Sequence, residues 1–311
     1  MEGLRKAVVT GPTGVVGTSL IEELVSNGVS VVAVCNPSSL RIDNVPSSEL
    51  VEIILCAAED YDELPSLILP QKVDAFFHLA WAGTHGASRQ EYCAQSKNVG
   101  FAVSAAMAAS KLGASVFVGV GSQAEYGPVE GVLRPDTICN PDTAYGAAKL
   151  SAMHMTKAYC GTVHMRHEWC RVLSLYGPKD GQHTLISQLV NGLLDGRHVS
   201  CTRGEQLWDY LYSKDAACAL RLVAERGLDG AVYCLGSGQA RSLKDYIRDI
   251  ETIVGGGSVG LGEIDYYPNQ VMHLEADIGN LFADTGFVPA YSFDRGMSET
   301  IDWYRAQRCC D

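Results

Sequence analysis

Tyr145 and Lys149 stand four residues apart in Tyr145-Gly146-Ala147-Ala148-Lys149. On a helix, positions i and i+4 share one face. A lysine cation beside a phenol favours the phenolate and lowers its pKa from about 10. Such a tyrosine gives or takes a proton at a carbonyl or hydroxyl oxygen near neutral pH. The spacing alone is common on helix surfaces. Its weight comes from Ser122, in Gly121-Ser122-Gln123-Ala124-Glu125-Tyr126-Gly127. A hydroxyl there closes an apolar run and falls at the carboxyl edge of a sheet, where open α/β folds bind ligands.

A second site for chemistry is Thr10-Gly11-Pro12-Thr13-Gly14-Val15-Val16-Gly17. It follows a β-branched run and opens a helical pattern. Glycines at 11, 14 and 17 allow a tight turn, close backbone approach to a pyrophosphate, and helix packing on sheet. The helix start offers free N–H groups and the positive end of a dipole. Thr13, Val15 and Val16 fall in the same contact loop. The end of the second strand reads Val34-Cys35-Asn36-Pro37-Ser38-Ser39-Leu40-Arg41 and carries no Asp or Glu for a ribose 2′-hydroxyl. Asn36, Ser38 and Arg41 suit a 2′-phosphate, which points to NADP, with NAD the alternative and Arg41 as a plain solvated residue the competing reading. Leu79 and Ala80, after His78, would border the cofactor.

These residues need a frame. Strands are expected at Ala7–Thr10, Val29–Val34, Val51–Leu55, Ala75–Leu79, Ser115–Val120 and Cys170–Leu175, with a short one at Ala231–Leu235. Helices are expected over about Val15–Asn27, Gln90–Leu112, Thr143–Cys160, Thr184–Leu194, Lys214–Arg226 and Asp294–Arg305. Apolar runs alternating with helices imply right-handed crossovers and a parallel sheet. The expected fold is α/β, a Rossmann-like doubly wound parallel sheet over residues 1–176. A smaller C-terminal substrate-binding lobe follows over 177–311, with elements returning to the first domain.

The 311 residues carry 36 acidic and 24 basic side chains, a formal charge of −12, which is the wrong sign for a nucleic-acid binder. No run reaches the length of about 18 apolar residues that a membrane span needs. The 11 cysteines are scattered without a CxxC pair, and the eight histidines add no zinc spacing, so no metal site is expected. A reduced, cytoplasmic setting is expected.

The whole chain resembles an extended short-chain dehydrogenase/reductase, of the NAD-dependent epimerase/dehydratase type that acts on nucleotide sugars. The resemblance rests on TGxxGxxG at Thr10–Gly17, His78-Leu79-Ala80, Asn98, and GSxxxYG at Gly121–Gly127. Further matches are Asn140-Pro141 before Tyr145 and Lys149, Arg171 with Tyr176-Gly177-Pro178, the Asp209–Asp215 region, and GFxPxxSxxxGxxxTIxWY at Gly286–Tyr304. It implies Tyr145 as acid/base, Lys149 on the nicotinamide ribose, Ser122 on the reacting oxygen, and Asn98 as a support for the site. It implies a substrate pocket lined by Trp81–Arg89, Gln123–Glu125, Arg171–His183 and Arg197–Asp209, drawing on Trp81, Gln123 and Glu125, with His183, Arg197 and Arg203 as candidates for diphosphate contacts. A homodimer through the helix expected over Gln90–Leu112, Ala-rich at Phe101–Ala109, and the Tyr145 helix is also implied.

Two departures matter. The string Leu55-Cys56-Ala57-Ala58 lacks the acid that often touches adenine. Gln123-Ala124 stands where 4,6-dehydratases place Asp-Glu, and Glu125 comes one position late, which argues against dehydration. The expected activity is 4-keto reduction of a (6-deoxy) sugar nucleotide. The alternative is 4-epimerisation with tightly bound NAD, and a non-catalytic NADP sensor ranks below both.

Overall fold

The computed structural model describes residues 3–68, 72–268 and 270–308. The terminal Cys309–Cys310 pair lies outside them. Seven strands form one parallel sheet: β1 (Lys6–Thr10), β2 (Ser30–Cys35), β3 (Val51–Leu55), β4 (Ala75–His78), β5 (Val116–Ser122), β6 (Arg166–Val172) and β7 (Val232–Leu235). Their order is β7-β6-β5-β4-β1-β2-β3, with every pairing parallel. The order reverses between β1 and β4, the switch point at which a doubly wound sheet opens a crevice beyond its strand ends.

Alternate residues of each strand face opposite layers. Ala7 and Val9 pack with Leu20, Ile21 and Leu24 of α1 (Val15–Ser26). Val8 faces the other way, with Leu64 of the single-turn α2 (Leu64–Leu67) and Ala105 of α3 (Tyr92–Lys111). On that second face lies α4 (Ala144–Thr162), packed against α3. The first face is completed by α6 (Ser213–Arg226) and α8 (Gly279–Thr285), once α5 (Leu185–Leu194) has passed through the lobe.

The expected sixth strand at Cys170–Leu175 begins four residues earlier. Arg166, His167 and Glu168 are polar, so they do not read as a buried run, yet His167 and Glu168 are buried. The chain breaks at Leu173, and Ser174–Tyr176 pairs instead with Tyr210–Tyr212. The segment at 231–235 contributes β7, the outermost strand of the main sheet beside β6.

The lobe is built on α5, α7 (Leu243–Val254) and α9 (Phe293–Arg308) around Tyr176, Leu189, Ile247 and Ile301. Four short strands, Arg241–Ser242, Leu207–Trp208, His273–Ala276 and Gly131–Leu133, join it to the strand-end loops. Among the described residues, no helix is long and apolar enough to cross a membrane.

Candidate active site

A cleft of about 710 Å³ opens at the carboxyl ends of β1, β2, β4 and β5. Its floor is the glycine loop. Gly11 has φ +70°, and a Cβ there would come within 2.7 Å of the Ala80 nitrogen. A Cβ on Gly17 would meet the Gly11 carbonyl and come within 2.8 Å of Pro12 Cα. At Gly14 the same position is open space, facing the cleft. Gly14 is also the N-cap of α1, with no side chain bonding the helix's first N–H groups. An uncapped 12-residue helix behind an open glycine fits a dinucleotide's pyrophosphate. Thr13, Val15, Val16, Asn36, Ser38, Arg41, Leu79 and Ala80 line the same cleft. Just beyond Leu55–Ala58, which lacks the acid that often touches adenine, Glu59 and Tyr61 line the cleft.

The mouth of the cleft is tied together by backbone contacts. Asn44 donates from Nδ2 to the Thr13 carbonyl at 3.1 Å, and Lys179 Nζ donates to the Asn44 carbonyl at 2.8 Å. Thr10 Oγ1 and His78 Nδ1 share a bond of 2.9 Å. Burial, reinforced by Lys149, holds the His78 ring down to about 3, so it stays neutral.

Tyr145 and Lys149 sit on α4, which opens with Thr143 accepting from the Gly146 N–H at 3.1 Å. Both line the cleft beside Ser122, the last residue of β5. The Ser122 side chain lies near enough to the Tyr145 phenol to favour its anion. Burial pushes that phenol above its usual value, while Ser122 and then Arg89 pull it down. The sequence expectation gave that pull to Lys149, and the geometry differs. Lys149 Nζ donates to the Val120 carbonyl at 2.6 Å and lies 3.9 Å from the centroid of the Trp81 ring. Burial drives Lys149 down to about 7, with Glu125 opposing. Burial thus disfavours the charged form of this lysine.

Asn98 is buried on α3 and closes both backbone groups of Ala82: Nδ2 donates to its carbonyl at 2.9 Å and Oδ1 accepts its N–H at 3.1 Å. Trp81 and Gln123 line the cleft. Glu125 does not. It is fully buried, accepting from Arg171 Nε at 2.7 Å, Trp169 Nε1 at 3.0 Å and the Ser122 N–H at 2.8 Å. Its carboxylate fixes the turn after β5 and has no path to a ligand in the cleft. His183 is exposed and neighbours His85, which lines the cleft, without lining it itself. Arg203 stands outside the cleft lining, 5.3 Å over the Tyr266 ring with Nε 3.3 Å from Glu205. Arg197 pairs with Asp195 at 3.0 Å on the surface.

Arg89, Lys179 and Asp180 all line the cleft; they fall within the expected pocket segments Trp81–Arg89 and Arg171–His183, which gave none of the three a role of its own. Lys179 follows Tyr176-Gly177-Pro178 directly, a turn that ends a strand and so marks a ligand-facing loop. Nothing local marks Arg89, because its place over Tyr145 is a tertiary contact.

The comparisons with known proteins agree with this frame. A family model described as the NAD dependent epimerase/dehydratase family matches residues 7–236. The chain is 23% identical to a dTDP-glucose 4,6-dehydratase of Neisseria gonorrhoeae, over 97% of this chain and 96% of that protein. Among solved structures, a UDP-glucose 4-epimerase from Thermotoga maritima with UDP-glucose superposes with TM-score 0.86 at 21% identity, covering 97% of this chain and 99% of that one. A UDP-glucuronic acid 4-epimerase from Bacillus cereus in complex with NAD gives 0.82 at 21% identity, with 97% and 99% covered. With the glycine loop, the strand order and the matched segment all in register, the chain belongs to the NAD dependent epimerase/dehydratase family.

Proposed function

We propose that this protein is a nucleotide-sugar oxidoreductase working at the sugar's C4, in the direction of 4-keto reduction. The observation that carries the reading is the pairing of two facts at the turn after β5. Ser122 and Tyr145 meet in the cleft, while Glu125 is locked to Arg171 and Trp169. Proton exchange at one oxygen is therefore provided for. The second and third proton transfers of a dehydration have no carboxylate at that turn.

A bound nicotinamide dinucleotide supplies hydride exchange at carbon. The glycine loop and the start of α1 would hold its pyrophosphate. Ser122 would hydrogen-bond the sugar's reacting oxygen, and Tyr145 would deliver or remove the proton on it. Lys149 would meet the nicotinamide ribose, exchanging its bond to the Val120 carbonyl. Asn98 would keep the loop after β4 in place. Trp81 and Gln123 would line the sugar's position, with His183 near the outer end.

NAD is the cofactor that the relatives support, since the Bacillus cereus epimerase structure holds it. The exposed Arg41 in the cleft wall favours NADP as a second reading. The same relatives favour 4-epimerisation as the second reading of the reaction. Both are separated by one experiment: the purified protein is denatured and its released nucleotide assayed, then the emptied protein is titrated with NADH and NADPH. Empty protein that turns over 4-keto-6-deoxy sugar nucleotides only with added reduced cofactor supports the reductase. Retained NAD and C4 inversion without added cofactor support the epimerase and overturn the reductase. A soluble sugar-nucleotide substrate and a homodimer complete the proposal.

A further inference from the structure

The ring of Trp81 touches both members of the Tyr145–Lys149 pair. Lys149 Nζ lies over its face, 3.9 Å from the ring centroid. The Tyr145 ring meets it edge to face, with centroids 6.2 Å apart and planes at 89°. All three residues line the one cleft. An ammonium over an aromatic face is attracted by the ring's quadrupole, and tryptophan offers the strongest such face. The attraction grows where water is excluded, and Lys149 is only 4% exposed.

Few other groups compensate that charge. Among the described residues, Lys149 Nζ makes one hydrogen bond, to the Val120 carbonyl at 2.6 Å, and no ion pair. An ammonium has three donors, so the carbonyl satisfies one. Glu125 faces Lys149 from the turn after β5, but its carboxylate is bonded to Arg171 at 2.7 Å. His78 faces it from the end of β4 and shares a bond with Thr10. Tyr145 stands one turn away on α4, with Arg89 over its ring at 4.7 Å. The Trp81 face is therefore the second contact that holds the ammonium.

The ring is itself fastened. Its Nε1 donates to Gln95 Oε1 at 2.8 Å. Gln95 is buried on α3 and donates to the carbonyls of Gly83 at 2.8 Å and Ser88 at 3.1 Å. Asn98 closes both backbone groups of Ala82, the next residue. With its N–H anchored and the backbone pinned behind it, the indole presents a fixed face to Lys149 and a fixed edge to Tyr145.

We propose that Trp81 is the positioning residue of the Tyr145–Lys149 pair: its face seats the Lys149 ammonium and its edge sets the Tyr145 ring. This rests on the reading of Tyr145 and Lys149 as the working pair, and deepens it by adding a residue from outside their helix that holds both. A ring face imposes no direction on the ammonium's hydrogens. Lys149 can thus release the Val120 carbonyl for the nicotinamide ribose without leaving its seat.

The test is nuclear magnetic resonance of the full-length protein carrying carbon-13-labelled lysine. The series is wild type, Trp81→Phe and Trp81→Leu, each first shown to melt as wild type does. The Lys149 ε-methylene signal is identified by its loss in Lys149→Arg. Protons over an indole face are shifted upfield by the ring current, so this signal should lie upfield of the exposed lysines in wild type. Trp81→Phe should keep part of that displacement and Trp81→Leu should abolish it. Followed against pH, the Lys149 midpoint should fall in Trp81→Leu by at least about half a pH unit, roughly a threefold change in its dissociation constant, because the lost attraction acts on the charged form alone. Trp81→Phe should fall less. A wild-type Lys149 signal at the ordinary lysine position overturns the proposal, and so does a midpoint that stays or rises in Trp81→Leu, the result for a tryptophan that only fills space. A Trp81→Leu protein that fails to melt as wild type is replaced by Trp81→Met under the same criteria. Because no substrate is used, a failed search for nucleotide-sugar turnover leaves this result standing and counts only against the function.

Discussion

Glu125 shows how a residue's chemistry is set by its neighbours rather than its type. Its two oxygens are spent on Arg171, Trp169 and the Ser122 N–H. Removing one partner of a buried ion pair strands the other, at a cost of about 3–5 kcal/mol. Glu125→Ala should therefore lose that much stability in denaturant titrations, and should also lose activity because Ser122 loses its anchor. Full stability with lost activity would instead place the carboxylate in the chemistry. Glu168 gives a second residue-scale expectation. It is fully buried, Arg166 Nε is 3.7 Å away, and neither oxygen has a hydrogen bond among the described residues. Burial raises it from 4.5 to about 8. The folded state thus holds the proton more tightly than the unfolded chain does. Its favourable contribution is complete below about pH 4.5 and is lost as pH rises through about 8. Glu168→Gln should melt near wild type at pH 5 and above it at pH 9. A constant difference across that range would contradict the assignment. The Arg171 partner was not visible in sequence, since it meets Glu125 across 46 positions.

Among elements, legibility followed burial. β1, β2, β4 and β5 read clearly because both faces are covered, so the strands are apolar runs; the edge strand β3 read from its β-branched residues although Glu52, Ile53 and Leu55 are exposed. β6 did not, because its first residues are polar and buried together, His167 bonding Thr156 at 2.9 Å. α7 was missed although its signal was present: Leu243, Tyr246, Ile247, Ile250 and Val254 fall at helical spacing and are all buried. The two- to four-residue strands of the lobe are too short to show a period. The glycine loop was legible because a steric demand leaves a residue-type mark. That demand is strict at Gly17, where a Cβ would strike the backbone of Gly11 and Pro12. Gly17→Ala should separate α1 from its loop and abolish dinucleotide binding in a calorimetric titration. Retained wild-type affinity would mean the loop does not hold the pyrophosphate.

On the scale of the molecule, the lobe and the sheet meet over one cleft, and the cations that chain charge would predict to be scarce gather there. Arg41, Arg89, Lys149 and Lys179 line it against Glu59 and Asp180. That local excess suits a doubly anionic ligand in a protein of net charge −12. The small residues of α3 do not serve assembly directly, because Ala102, Ala105, Ala106, Ala108 and Ala109 are buried against this chain's own sheet and α4. A homodimer through α3 and α4 must instead use side chains such as Tyr92, Met107 and Met155, which the single chain leaves exposed. Sedimentation should show a dimer that Met155→Glu weakens, and a monomeric wild type would remove that expectation. The central claim concerns what happens to the sugar. The most direct measurement is the mass of the nucleotide sugar recovered after incubation with the protein and reduced nicotinamide cofactor, in wild type and Tyr145→Phe. A 4-keto-6-deoxy substrate should gain one hydride and one proton with wild type and stay unchanged with Tyr145→Phe. A hexose substrate that leaves as a product lighter by one water would contradict the account, because it would require carboxylate chemistry that the buried Glu125 cannot perform.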